Sequence, residues 1–386
     1  SAVRPRSINS YLGDDLFTEI FSRLPIKPLF RLKSVCKLWN RLISSDQLHG
    51  RLLLPHGLFY PFQACDSEPE EYRYICLSDS NSSDGGIQDI SLSFLPRYPN
   101  LEIIDSCNGL ILLLWSEMEE GTCQIEYYVC NPLTKRWIAL PKPRRWVGFD
   151  ITRLAFDPSL SPDFQVIHIL IPSDWDVTSL MTETFSSASG QWVESIHRCV
   201  PVSHGSLPKD GEFMSGILYI LCLPSYILGF NFGEGGSHLI RLPERRRHYS
   251  FLKCFRGCLY YVSHDNSVID IWTLEDTSSS DWTLKHTVAM KALEKQICLP
   301  ICDRFWHDLY YCSLQPFELH PEREAIVLKT HCKLFSYDFM SSRLEELGCT
   351  EECIAGSSHR AWFFESVALY QPWPNALNWM PSNDQG

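Results

Sequence analysis

A loose repeat between about residues 100 and 350 constrains the fold more than any other feature of this sequence. Its clearest copy has a Gly-led apolar strand at 109–114, a strand and turn at 127–137, and a final segment that closes in Leu-Pro at 140–141. Further copies occupy 151–196, 215–243, 256–284 and 305–347. This spacing predicts many short strands joined by tight turns.

Repeats of roughly 40–50 residues with about four short strands and aromatic residues are typical of β-propeller blades. The sequence therefore predicts five blades between residues 101 and 350. A sixth would combine residues 51–100 with a closing strand near residues 362–367, which would remove an exposed sheet edge. We predict a mainly β fold, with a propeller over residues 51–370 of six blades, or alternatively seven, and a C-terminal tail over 371–386.

Residues 8–50, which follow a short N-terminal tail over 1–7, have helical rather than strand periodicity. Large apolar side chains recur at every third or fourth position and predict one apolar stripe: Leu12, Leu16, Phe17, Ile20, Phe21 and Leu24. Asp14 is expected to cap this helix, and Pro28 to begin a second one. A third short helix is expected around Trp39. So small a unit cannot bury all its large side chains, which must pack on the downstream domain or on another protein.

The order of the residues favours another protein. Leu12-x-Asp14-Asp15-Leu16, Ile20-x-x-x-Leu24-Pro25-Ile26-Lys27-Pro28-Leu29 and Arg31-Leu32-Lys33-Ser34-Val35-Cys36-Lys37-x-Trp39-x-x-Leu42-Ile43 resemble an F-box of the plant form. Gly13 and Lys27 depart from the usual pattern, which has Pro and a small polar residue there. The resemblance implies that a Skp-type adaptor is bound, and it assigns the contact and the small helical core to Leu12, Leu16, Ile20, Leu24, Pro25, Ile26, Leu29, Leu32, Val35, Cys36, Trp39 and Leu42.

The turn Asn131-Pro132-Leu133-Thr134-Lys135-Arg136-Trp137 resembles the F-box-associated domain of plant F-box proteins, a kelch-like propeller. Together the two resemblances imply a substrate-recognition subunit of a Skp/cullin/F-box ubiquitin ligase. Such a subunit reaches cullin and RING subunits through the adaptor, and its propeller binds an unknown protein that is to be ubiquitinated. The alternative is a ligand- or glycan-binding propeller that pairs with the adaptor outside ubiquitin transfer.

The net charge of −12 is unevenly distributed. Residues 1–50 carry eight basic and four acidic residues, which gives this segment a charge of +4 and leaves −16 for the rest. An acidic body argues against nucleic-acid binding, which needs clustered positive charge. No apolar run reaches the roughly 20 residues of a membrane span. With 16 cysteines expected to stay reduced, we expect the cytoplasm, the nucleus or both.

Two Arg-rich segments with aromatic residues follow Leu-Pro pairs at the same phase of the repeat and should share one face of the propeller. Arg and aromatic side chains are favoured at binding hot spots, so the segments are candidate substrate contacts. Ordinary solvated turns remain the alternative. The candidate residues are Arg144, Arg145, Trp146, Arg245, Arg246, Arg247, His248 and Tyr249.

The remaining constellations predict no metal, cofactor or catalytic residue. Three cysteine pairs share one spacing, 254/258, 298/302 and 349/353, which fits small residues on one face of a strand better than a zinc site. His307-Asp308 lacks the Gly-x-Ser-x-Gly elbow of a hydrolase. We therefore predict a non-catalytic binding protein.

Overall fold

The computed structural model is mainly β, with a small helical head. It describes residues 13–22, 32, 35–43, 57–62, 71–77, 90–119, 122–144, 151–158, 161–170, 176–203, 211–222, 225–231, 236–244, 249–255, 257–265, 267–297, 314–320, 323–330, 333–349 and 368–370. In these residues five antiparallel sheets have four strands and a sixth sheet has three.

Each four-stranded sheet, here called a blade, takes its strands in chain order. Blade 1 comprises β3 (Glu102–Cys107), β4 (Leu110–Glu119), β5 (Thr122–Asn131) and β6 (Arg136–Ala139). Blade 2 comprises β7 (Ile151–Ala155), β8 (Gln165–Leu170), β9 (Asp176–Ser186) and β10 (Gln191–Ser203). Blade 3 comprises β11 (Gly211–Met214), β12 (Ile217–Cys222), β13 (Tyr226–Asn231) and β14 (Gly236–Arg241). Blade 4 comprises β15 (Tyr249–Phe255), β16 (Cys258–His264), β17 (Val268–Leu274) and β18 (Thr283–Ala289). Blade 5 comprises β19 (Gln315–Leu319), β20 (Ala325–Lys329), β21 (Lys333–Asp338) and β22 (Arg343–Cys349).

The three-stranded sheet, here called the closing sheet, joins the two ends of the chain. Its central strand β1 (Gly57–Phe62) pairs with β2 (Glu71–Cys76) on one side and with β23 (Ala368–Tyr370) on the other. The sequence predicts six blades. Five are found as complete four-stranded blades, and the closing sheet occupies the place expected for the sixth. Its C-terminal strand lies at 368–370, while the predicted strand at 362–367 falls outside the described residues.

Apolar cores between neighbouring sheets hold the sheets in a ring. For example, Phe59 of the closing sheet packs with Ile111 of blade 1, and Leu58 of the same sheet packs with Val327 of blade 5. Four further clusters lie between successive blades. The first strands of blades 1 to 4 contact their neighbours in order, and β23 contacts β3. These strands therefore line the propeller axis.

Glycine-containing turns begin the second strand of the clearest repeats. Both residues of Asn108-Gly109 have positive φ, 44° and 86°, and Ser215-Gly216 has 51° and 82°. Two consecutive left-handed residues form a tight hairpin whose twist matches that of the flanking strands. This requirement explains the Gly that precedes the second strand in blades 1, 3 and 4, Gly109, Gly216 and Gly257.

Tryptophans link a blade to the one before it. The indole Nε1 of Trp192 in blade 2 donates to the carbonyl of Pro141, 2.6 Å away, just after blade 1. Trp282 next to β18 in blade 4 donates to the carbonyl of Arg241, 2.8 Å away, at the end of blade 3. The aromatic residue of the repeat and the Leu-Pro segment of the preceding repeat are thus partners.

The helical head contains α1 (Asp14–Ser22) and α2 (Lys37–Ile43), and Leu32 between them is also helical. The Gly13 carbonyl accepts from the amides of Leu16 and Phe17, so Gly13 is the N-cap and the assignment of this role to Asp14 is wrong. Asp14 lies in the first turn and pairs through Oδ2 with Nη2 of Arg41 at 2.9 Å. A short α3 (Met290–Glu294) follows β18. None of the described helices is long and apolar enough to cross a bilayer.

Candidate functional site

Helix α1 presents two apolar stripes, not the single one expected from the sequence. Phe17 and Phe21 are buried, whereas Leu16 and Ile20 are 53% and 46% exposed. Successive residues of an α-helix are about 100° apart, so residues 16 and 17 start stripes that face different directions. One stripe forms the core of the head, and the other is exposed on its surface.

The described members of the predicted adaptor contact divide in the same way. Val35 joins the outward group with 58% of its surface exposed. Leu42 is buried, and Leu32 and Trp39 pack against the core around it. Cys36 is half-buried, and its Sγ accepts from the Trp39 amide at 3.5 Å. Leu12, Leu24, Pro25, Ile26 and Leu29 lie outside the described residues.

The outward group is large for so small a unit. A fully buried Leu, Ile or Val contributes about 1.5–3 kcal/mol relative to an exposed one, so Leu16, Ile20 and Val35 leave several kcal/mol unused in the isolated head. The buried hydrophobic side chains of the described head are only Phe17, Phe21, Leu42 and Ile43. The geometry therefore suits a head that gains stability and affinity when a second apolar surface covers it.

The two Arg-rich segments of the propeller begin at equivalent positions. The amide of Leu140 donates to the Tyr127 carbonyl at 2.8 Å, and the amide of Leu242 donates to the Ser225 carbonyl at the same distance. Both leucines are buried. The segments then connect the outermost strand of a blade to the innermost strand of the next, β6 to β7 and β14 to β15. The ends of β6 and β14 from which the segments leave are equivalent positions of two blades that lie two places apart in the ring.

Only the bases of these segments are described. Arg144 is exposed, Pro143 is buried, and Nζ of Lys142 donates to Gln124 Oε1 at 3.4 Å. In the second segment, the Ser263 hydroxyl donates to Glu244. Tyr249 begins β15, but its side chain lies outside the described residues, as do Arg145, Trp146, Arg245, Arg246, Arg247 and His248.

A group of charged side chains at the propeller axis was not predicted from the sequence. Each blade contributes one from its innermost strand: Asp105, Arg153, Glu212, Lys253 and Glu318. Burial raises the pKa of Asp105 to about 6, against the opposing effect of Arg153. No motif identifies these residues, since each stands alone in a short strand. A charged residue in the first strand of every copy was the available signal.

Of the cysteine and histidine constellations, the structure describes only the Cys254/Cys258 pair in full. Cys254 and Cys258 lie on the two strands of one hairpin, β15 and β16, and not on one face of a single strand. Burial raises the pKa of the Cys254 thiol well above its usual value. Within the described ranges no three His, Cys, Asp or Glu side chains are grouped as metal ligands. His307-Asp308 and the 298/302 pair lie outside them.

Comparison with known proteins gives two family matches. Residues 10–50 match the F-box domain, and residues 89–313, more than half of the chain, match the "F-box protein At3g26010-like, beta-propeller" family. The chain is 25% identical to the F-box protein At5g07610 of Arabidopsis thaliana, over 93% of this chain and 90% of the relative. It is 26% identical to the F-box protein At5g49610 and 23% identical to the putative F-box/kelch-repeat protein At1g15680 of the same plant. These matches cover 75% and 83% of this chain, and 82% of each relative.

Proposed function

The chain belongs to the family of F-box proteins with an At3g26010-like β-propeller, and on this basis we propose that it is the substrate-recognition subunit of a Skp/cullin/F-box ubiquitin ligase. The observation that carries the proposal is the exposure of the outward group of the head, which lies within the segment matched as an F-box. Its members are Leu16, Ile20 and Val35. Such a group provides the surface that a Skp-type adaptor would cover. The adaptor would connect the chain to cullin and RING subunits.

In this proposal the chain is not an enzyme. The propeller holds a protein substrate near a conjugating enzyme on the cullin assembly, and proximity raises the rate of ubiquitin transfer. The substrate would bind the face that carries the two Arg-rich segments. Among the candidate substrate contacts, Arg144 is the one whose side chain the structure describes. Rigid anchoring of both segments, through Leu140 and Leu242, supports this choice, because recognition surfaces work best on rigid elements.

The finer assignments follow the same proposal. We count the closing sheet as a sixth blade, because its strands pack between blades 1 and 5. The F-box would span residues 8–50 and the propeller residues 51–370. The protein would act in the cytoplasm, the nucleus or both, where its 16 cysteines would stay reduced.

Co-purification with a Skp-type adaptor tests the proposal. We expect Leu16→Glu to abolish capture of the adaptor by the full chain, because a charge in a covered apolar contact is left without solvation. Met340→Glu is the matched control, since Met340 is an exposed apolar residue of the propeller, on the turn after β21. Equal capture of adaptor by both variants would refute the adaptor contact. Retained adaptor without co-purified cullin would refute the ligase assignment.

A further inference from the structure

A ring of charged side chains surrounds the propeller axis. In order around the axis, Asp105 comes from β3, Arg153 from β7, Glu212 from β11, Lys253 from β15 and Glu318 from β19. Their charges alternate in sign from blade 1 to blade 5. Alternation from blade 1 to blade 5 places every acidic member beside a basic one, which lowers the electrostatic energy of the series.

Lys253 connects three blades. Its Nζ lies 3.0 Å from Oε1 of Glu212 in blade 3 and 2.9 Å from Oε2 of Glu318 in blade 5. Glu318 is almost fully buried, with 4% of its side chain exposed, while Lys253 and Glu212 keep 26% and 24%. Burial opposes the charged form of Lys253, but the two carboxylates outweigh it and raise its pKa. The amine is therefore charged in the folded protein.

Asp105 connects the other side of the ring. Its Oδ2 accepts from the amide of Leu154 in blade 2 at 2.8 Å, and its Oδ1 accepts from the amide of Ser106 at 2.8 Å. The neighbouring Arg153 attracts this carboxylate and donates through Nη1 to the Thr152 carbonyl at 3.0 Å. A side chain of blade 1 thus fixes the backbone of blade 2.

We propose that Lys253, Glu212 and Glu318 form an ion-pair clamp that fixes blades 3, 4 and 5 relative to one another, with Lys253 as its central member, and that Asp105 fixes blade 1 to blade 2 through its hydrogen bond to the Leu154 amide. The apolar cores between blades are non-directional and tolerate small displacements, whereas ion pairs near 3 Å require one geometry. The loops on both faces are carried by the blades. Loosening the clamp should therefore weaken binding of partners by either face without altering a surface residue.

The test compares Lys253→Met with Lys285→Met in the full chain. Lys285 lies on the outermost strand of the same blade and is exposed. Removing one partner of a buried ion pair leaves the other charge uncompensated, so Lys253→Met should lower the thermal midpoint by about 5 °C or more. The control should change it by about 1 °C at most. Hydrogen exchange should accelerate in β11, β15 and β19 before it does in β5.

A triple variant separates charge from packing. Adding Glu212→Gln and Glu318→Gln to Lys253→Met removes the uncompensated carboxylates. The triple variant should therefore recover most of the decrease in thermal midpoint that Lys253→Met causes. If Lys253→Met gives no folded protein, a folded triple variant supports the clamp and an unfolded one overturns it. The clamp is also overturned if Lys253→Met has the same thermal midpoint as Lys285→Met. The same holds if Lys253→Met and the triple variant have equal midpoints.

Discussion

The head and the propeller place their unusual residues in opposite ways. The head exposes large apolar side chains such as Leu16 and Val35, while the propeller buries charges such as Glu318 at its axis. A unit of about forty residues lacks the interior to cover its apolar surface, and a ring of sheets has an axis at which charged groups from different blades can meet. The head therefore leaves apolar surface uncovered, whereas the propeller pairs buried charges such as Glu318 internally.

This difference has consequences for stability. The four buried hydrophobic side chains of the described head, Phe17, Phe21, Leu42 and Ile43, form a single cluster, so each carries a large share of its packing. Blades share cores with two neighbours each, which distributes the loss of any one contact. Variants of the head should act locally and strongly. Variants of the propeller should act on the whole ring.

The largest effect is expected for Phe21→Ala. Phe21 is 2% exposed and lies edge-on to Trp39, with ring centroids 5.3 Å apart. Its truncation should destabilise the head by about 3–5 kcal/mol, which is enough to unfold so small a unit. Hydrogen exchange should show loss of protection in α1 and α2 with the blades unchanged. The outward-facing Leu16→Ala is the control and should leave protection intact, so equal losses would contradict the division of α1 into two stripes.

The next effect concerns pH. Burial raises the pKa of Asp105 to about 6, against Arg153 and with the help of Glu212, from a value of 3.8 in the unfolded chain. A raised pKa means that the folded state binds the proton more tightly, so this residue's contribution is full below about pH 4 and is lost as the pH rises through about 6. We therefore compare the free energy of unfolding of the natural chain with that of Asp105→Asn. The difference, natural chain minus variant, should grow by up to about 2 kcal/mol as the pH falls from 7 to 4.

Urea titrations of both chains at several pH values would measure this difference. Asp276→Asn is a suitable comparison, because hydrogen bonds from the hydroxyl and amide of Ser278 lower the pKa of this exposed carboxylate. Its contribution should change with the opposite sign as the pH falls. If the difference in free energy of unfolding between the natural chain and Asp105→Asn stays constant from pH 7 to pH 4, the axis of the propeller is solvated like its surface.

Much of this organisation was accessible from the sequence, and the rest depended on distances in space. The Leu-Pro segments and glycine turns marked the clearest copies of the repeat, because the same local geometry requires the same residues, and the repeat length then located the two less regular blades. Asp14 was misassigned because Asp suits both the N-cap and the first turn of a helix. The charged ring was not predicted, because its members are separated by tens of residues in the sequence. The inward and outward stripes of α1 share one sequence pattern, which only packing could separate.

A smaller effect should follow from Trp192→Phe. This change keeps most of the packing with Phe185, whose ring centroid is 5.6 Å away, but it removes the hydrogen bond to the Pro141 carbonyl. The carbonyl is left without this donor at a cost of about 1–2 kcal/mol. The thermal midpoint should fall by about 2–4 °C. The exposed neighbour Val193→Ala should have almost no effect, and if the two variants match, the tryptophan does not link blades 1 and 2.

The smallest effect should come from Asp14→Ala. Were Asp14 the N-cap, its loss would cost about 1 kcal/mol at any salt concentration, whereas an exposed ion pair with Arg41 contributes about 0.2–1 kcal/mol and is screened by salt. A double-mutant cycle with Arg41→Ala, followed by hydrogen exchange in α1, measures the coupling, which should disappear at 1 M salt because screening removes it. Asp15→Ala serves as the control for charge in the first turn. A loss near 1 kcal/mol that persists at high salt would show that Asp14 caps α1 after all. The head would then depend less on a partner for its stability.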